Sequence, residues 1–315
     1  MRTLALAVIL FGACTTCMAE ARISHQQSTI SFTSTASIEL SGDQTFFTVQ
    51  PKNGIRLSGS LQLPPGDGPF PALVLAHGCN GIGQTERAWA DALRTWGYAT
   101  FLVDSFAGRN LAEVCTDPWP LAPLQRVPDL FGALRILAEN PSIDARRIGL
   151  IGFSHGGIAT LNAATTWASQ TFAPKTGPSF RAYIAFYPYC NVSFPEQERI
   201  SGPLRIHIGE LDDWTPAVPC ERLTRHLIER GQDARITVYP GAHHSFDAIG
   251  AGRVLLPEAV NAAACSLDIP SILGPFRFSE ALAHCIKRGA TVEENAAATT
   301  AARDHVRMEI KELLE

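Results

Sequence analysis

The chain has 315 residues, 46% of them hydrophobic, which is enough for one large core, and an α/β domain of this length need not be divided. Its formal net charge of -4 and pI near 6.1 leave no basic footprint. No Lys/Arg cluster interleaves with aromatics, which excludes the pattern of a nucleic-acid binder.

Residues 1–21 carry Arg2, an apolar run over 4–13 and small residues ending at Ala19 or Ala21, the layout of a secretory signal peptide. The run is too short to cross a bilayer and no later stretch reaches that length. A periplasmic or secreted protein without a transmembrane segment is expected. Anchoring through an acylated Cys14, behind Gly12 and Ala13, ranks second, because Phe11 stands where a Leu is usual. Of eight cysteines, Cys14 and Cys17 leave with the signal. Cys79, Cys115, Cys190, Cys220, Cys265 and Cys285 remain, an even set that suggests disulfides, with fifteen pairings open. No CxxC or Cys/His spacing suggests a metal, and no cofactor is expected.

Residues 22–44, rich in Ser and Thr, read as a loosely ordered segment with at most one edge strand, and 45–315 as a single domain. Strands over 45–50 and 55–63 are expected to pair antiparallel through the PKNG turn. The apolar strand 72–76 runs into HGCNG at 77–81, and a helix follows over 85–96. Strand 98–103 ends at Asp104. A long loop over 105–126, of a kind that is usually functional, leads to a helix over 127–139. The apolar run 148–151 enters GFSHGG at 152–157. Strands at 182–187, 204–208 and 235–239, with a helix over 220–230, continue the alternation. This predicts an α/β fold with a mostly parallel central sheet and helices on both faces. Residues 249–289 interrupt it as an excursion, stapled by Cys265 and Cys285, before a last helix over 293–314.

Ligands on such sheets bind at the carboxyl ends of the strands, where His77, Asp104, Ser154, Tyr187, Asp212 and His244 fall. GxSxG after a buried strand reads as a sharp turn that exposes Ser154 as a nucleophile. A serine hydroxyl needs a base within reach and a carboxylate to orient that base. HIGELDDWTP offers Asp212 or Asp213, and YPGAHHSFD offers His243 or His244, of which His244 is favoured because it directly precedes Ser245 and Phe246. Nucleophile, acid and base in that order is the order of α/β-hydrolases. The backbone N–H groups of His155 and Cys79 are the expected oxyanion donors. Phe106, Trp119, Phe153, Tyr187 and Trp214 are candidates for an acyl pocket, and Arg109 for pairing with a substrate carboxylate, with a buried ion pair as its alternative.

With GFSHGG, HGCNG, LDDWTP and HHSF in register, the chain resembles the dienelactone hydrolase family over about 45–247. The resemblance implies Ser154, Asp212 and His244 as the triad, Asp212 standing four residues before Pro216 as in that family. It implies a small-molecule carboxylic ester or lactone as substrate. The namesake enzymes use a cysteine nucleophile in the cytoplasm; Ser154 behind a secretion signal points instead to a general serine esterase. A peptidase or acyltransferase on the same scaffold, or a non-catalytic extracytoplasmic binding protein, are the alternative readings. The cysteines fit a secreted branch, with Cys79–Cys115, Cys190–Cys220 and Cys265–Cys285 as the implied bonds.

Overall fold

The computed structural model describes residues 27–42 and 47–315. The expected signal peptide, with Cys14 and Cys17, lies outside the described residues. In chain order the first half comprises β1 (Gln27–Thr33), β2 (Ser37–Leu40), β3 (Phe47–Gln50), β4 (Arg56–Gln62), β5 (Phe70–Ala76), α1 (Gln84–Thr95), β6 (Ala99–Asp104), α2 (Val127–Ala138), β7 (Ile143–Phe153), α3 (His155–Ala164) and α4 (Thr166–Phe172). There follow β8 (Tyr183–Phe186), β9 (Val192–Ser193), β10 (Leu204–Gly209), α5 (Ala217–Glu229), β11 (Ala234–Tyr239), β12 (Val254–Asn261), β13 (Leu267–Asp268), α6 (Phe278–Leu282), β14 (Lys287–Val292) and α7 (Ala296–Leu314).

Eight strands form one sheet in the order β1-β4-β6-β5-β7-β8-β10-β11. From β6 to β11 all neighbours are parallel, and β4 and β1 close one edge antiparallel. The central strands are covered by helices on both faces; every residue of β8 and of β10 is buried, Arg205 and His207 included. Phe186 of β8 packs against the rings of Trp89, Phe153 and Phe246. Truncating it to Ala is expected to destabilise the fold by about 3–5 kcal/mol.

The N-terminal strands differ from the sequence expectation. Residues 27–40, read as loosely ordered, form β1 and β2, and β3 pairs with β2 rather than with β4. The PKNG turn does not fold back. Instead Ser34 and Ile55 join, through Ser34 N–H to the Ile55 carbonyl at 2.9 Å and Ile55 N–H to Ser34 Oγ at 2.8 Å, so β4 lies against β1.

The excursion holds β12 antiparallel to β14, β13 parallel to β9, and α6. It leaves and rejoins the sheet scaffold at one place: Gly250 N–H donates to the Glu294 carboxylate at 2.7 Å, and Glu294 N–H donates to the Ala251 carbonyl at 2.9 Å. Because Glu293 and Glu294 are held there by backbone bonds, α7 starts later than the sequence suggests, capped by the Asn295 side chain. Among the described residues, no helix is long and apolar enough to cross a membrane.

Candidate active site

Between β7 and α3 the backbone turns at Ser154 with φ 52° and ψ -116°, a conformation that side-chain-bearing residues adopt only under constraint. Two glycines provide it. A Cβ on Gly152 would sit 2.2 Å from the Gly156 carbonyl and from Thr160 Oγ1, and one on Gly156 would sit 2.2 Å from the Ala76 carbonyl. The turn therefore closes only with glycine at both positions, and it lifts the serine hydroxyl out of the sheet.

The Ser154 hydroxyl lies 2.9 Å from His244 Nε2, and His244 Nδ1 lies 2.8 Å from Asp212 Oδ2. Asp212 and His244 are buried. The other Asp212 oxygen accepts the N–H of Trp214 at 3.0 Å and of Thr215 at 2.7 Å. These two bonds fix the orientation of the carboxylate. Thr215 Oγ1 stands 2.9 Å from Asp212 Oδ2, 3.0 Å from His244 Nδ1 and 3.0 Å from the Tyr187 carbonyl. The neighbours of the chosen pair point elsewhere. Asp213 accepts the N–H and hydroxyl of Thr291, and His243 faces Glu293 at 3.5 Å.

The HGCNG loop after β5 lies beside the turn, with the ideal Cβ position of Gly78 3.8 Å from Ser154 Cβ. The Glu86 carboxylate, buried on α1, accepts Gly78 N–H at 3.1 Å and Gly83 N–H at 2.8 Å and so fixes the loop from behind. Cys79 is bonded to Cys115, and its carbonyl accepts Val114 N–H at 2.9 Å. His155 is the first residue of α3, where a backbone N–H has no acceptor one turn back.

Beneath this floor Arg126 is fully buried and donates to the His77 carbonyl at 2.8 Å and to His155 Nδ1 at 2.9 Å. His155 Nε2–H donates to the Leu121 carbonyl at 3.0 Å. Burial, and then the nearby Arg126 charge, hold both His77 and His155 well below the usual imidazole range. Burial also pulls Arg126 down to about 10. Both imidazoles are thus neutral at physiological pH.

A cavity of about 280 Å³ opens at Ser154, Cys79 and His155. Its walls come from α3, from the loop carrying Trp119 and from the excursion. Trp119 and Trp214 line it. Four other candidates do not. Phe106 is packed edge-on to His77, and Phe153 lies in the aromatic core with Trp89 and Phe186. Tyr187 is turned inward to donate to Asp247 Oδ1 at 2.8 Å, its ring edge against His244. Arg109 grips buried Asp129 with two bonds of 2.9 Å. That is the buried ion pair rather than a substrate contact, since a guanidinium so matched has no call to leave its carboxylate.

Sequence reasoning missed Thr215, Glu86 and Arg126. Thr215 had a signal, being the T of LDDWTP at the i+3 position where an Asp-capped turn places a hydroxyl; Glu86 and Arg126 had none beyond burial. The structure carries disulfides Cys79–Cys115, Cys190–Cys220 and Cys265–Cys285. The last closes the excursion that walls the cavity.

The sequence profile of the dienelactone hydrolase family matches residues 57–267. A Bradyrhizobium sp. protein named as a probable 2-oxo-3-(5-oxofuran-2-ylidene)propanoate lactonase is 22% identical over 210 residues, covering 62% of this chain and 80% of the relative. Among solved structures, a promiscuous dienelactone-hydrolase-like phosphotriesterase from metagenomic libraries superposes with a TM-score of 0.60 at 16% identity, covering 92% of this chain and 99% of its own. Thermogutta terrifontis esterase 2, phosphoramylated by tabun, reaches a TM-score of 0.51 at 17% identity over 69% and 88%. At these identities the structural likeness shows the fold.

Proposed function

The chain belongs to the dienelactone hydrolase family of α/β-hydrolases, and from that premise we propose that it is a serine carboxylic-ester hydrolase working through an acyl-enzyme on a small ester or lactone. One observation carries the reading: the Ser154 hydroxyl 2.9 Å from a His244 nitrogen whose partner nitrogen is 2.8 Å from Asp212.

In this reading His244 Nε2 takes the Ser154 proton as Oγ attacks the ester carbonyl. Asp212 holds the Nδ1–H tautomer and stabilises the imidazolium. The N–H groups of Cys79 and His155 receive the oxyanion. His244 then returns the proton to the leaving alcohol, which departs, and a water deprotonated by the same nitrogen attacks the acyl-serine to release the acid. Three disulfides and the sequence of residues 1–21 support a protein that works outside the cytoplasm, where such bonds persist.

The test is to label the purified protein with a fluorophosphonate and map the adduct by peptide mass spectrometry. A single adduct on Ser154, absent from Ser154→Ala and His244→Ala, supports the reading. Ser154→Ala should also lower ester turnover on the order of 10⁴-fold or more. A folded wild-type protein that takes no adduct and turns over no ester would overturn it.

A further inference from the structure

Resting on that reading, we infer that the site selects a neutral, apolar acyl group of medium length and rejects esters whose acyl part ends in a carboxylate. Two geometric facts lead there, one about which side of the ester occupies the cavity and one about what the cavity is made of.

The leaving oxygen of an ester must stay within reach of His244 Nε2, which reprotonates it. The cavity wall includes Ser154, Cys79 and His155, and does not include His244. The Trp214 ring stands 4.9 Å from the His244 ring and itself forms part of that wall. Thr215, whose hydroxyl is 3.0 Å from His244 Nδ1, is in the wall as well, so the space opens at the reacting serine with both proposed oxyanion donors on its wall and the His244 ring outside it, and on that ground it is assigned to the acyl group.

Among the described residues, no Asp, Glu, Lys or Arg lines it. Its polar groups are uncharged, and several are already engaged. Tyr189 donates to the Ala262 carbonyl at 2.8 Å, His155 uses both ring nitrogens, and Thr215 turns to Asp212 and Tyr187. Arg109, the cation nearest this role in the sequence, is held by Asp129. A carboxylate entering such a space would be desolvated with no counter-ion, whereas methylenes gain from leaving water.

Size sets the length. A 150 Å³ apolar cavity holds benzene, so scaling by volume gives about eleven carbons as the capacity here. Much of the wall is supplied by the excursion, including Val260, Ala262, Leu267, Ile269 and Ile272, so the excursion bounds the space an acyl chain can fill.

The deciding pair is methyl octanoate against monomethyl suberate, which differ only in a terminal methyl or carboxylate. Hydrolysis of both by the wild-type protein, and their binding to Ser154→Ala by calorimetry, are measured beside a methyl ester series from acetate to palmitate. Expected are an octanoate preference in kcat/KM of about 100-fold or more, and a rise of about three- to fourfold per added methylene that ends near ten to twelve carbons. In Ala262→Trp, which fills the cavity, the optimum moves to shorter chains. If Ser154 takes the fluorophosphonate and esters are cleaved, but acetate is the best substrate or suberate equals octanoate, the acyl inference is overturned and the esterase reading stands. If there is no adduct and no turnover, yet Ser154→Ala binds methyl octanoate in preference to suberate, the esterase reading falls while the cavity's selectivity is upheld. Absence of both turnover and selective binding overturns the two together.

Discussion

Glu86 accepts the Gly78 N–H at 3.1 Å from a buried position on α1, which ties down the residue before Cys79, whose N–H is the proposed oxyanion donor. With its second oxygen on Gly83 N–H, the carboxylate is fully committed to the loop. Glu86→Gln replaces one acceptor by a donor. The expected result is a fall in kcat of about 10–100-fold with little change in KM, because an oxyanion donor acts mainly in the transition state. Steady-state kinetics on one ester separates the two constants, and an effect confined to KM would remove Glu86 from this role.

The adjacent aspartates should behave as opposites. Asp212→Asn removes the acceptor that fixes the His244 tautomer and is expected to lower turnover by about 10⁴-fold with the fold intact. Asp213→Asn weakens two bonds to Thr291 of β14 and should cost about 1 kcal/mol of stability with turnover kept within about tenfold. Denaturant unfolding and kinetics on both variants decide it; equal catalytic losses would show that the acid had been misassigned.

Two disulfides should fail differently. Cys79→Ser with Cys115→Ser frees the loop of the proposed oxyanion donor, so kcat should fall for every ester. Cys265→Ser with Cys285→Ser opens a loop of sequence separation 20, costs about 3 kcal/mol in the chain-entropy account and loosens the cavity wall. Rates on acetate should then hold better than rates on octanoate. The ratio of the two esters across both double variants is the measurement, and a uniform loss in each would refute the distinction.

Two buried histidines should make stability decline as pH falls through the ordinary imidazole range. His77 and His155 are held neutral in the fold, by burial first and then by Arg126, whereas the unfolded chain protonates them near the ordinary 6.5. Below that pH the unfolded state binds more protons, so unfolding free energy drops as pH falls, by up to about 1.4 kcal/mol per unit for each histidine. Asp247 acts in the opposite sense. Burial raises it above the ordinary carboxylate value, so its contribution is complete below the unfolded value and is lost as pH rises through the folded one. Urea unfolding from pH 7.5 down to 5 reads the histidine slope, and His155→Gln should remove about one proton's worth of it. A flat profile in both proteins would rule this out.

The parallel part of the sheet was readable because each strand, loop and helix there is a local unit, and the alternation survives in composition alone. That Ser154, an Asp at 212 or 213 and a His at 243 or 244 would meet was readable for the same reason, each following its own strand, while the choice of Asp212 came from the family resemblance. What pairs at a distance was not. The turn between β3 and β4 looks like a hairpin and is not one, and β4 pairs with β1 instead, because the Ser34 and Ile55 contact that redirects it leaves no periodic trace. For Arg109 a substrate contact and a buried ion pair both stood open, because nothing local marks its partner Asp129, buried on α2. Glu86 carries no motif at all; only its burial and its two backbone donors reveal it. The cavity walls were beyond reach because they are assembled from an excursion whose residues alternate poorly and come to line the same space as α3 only in three dimensions.

The excursion begins and ends at a single seam, where Gly250 and Ala251 are stitched to Glu294. A segment whose two ends meet can be cut out and replaced without re-routing the chain, in the way a cassette is exchanged. The sheet with Ser154, Asp212 and His244 at its strand ends would then be the constant chassis of a reagent series, and the inserted loop the part that is bred for a new acid.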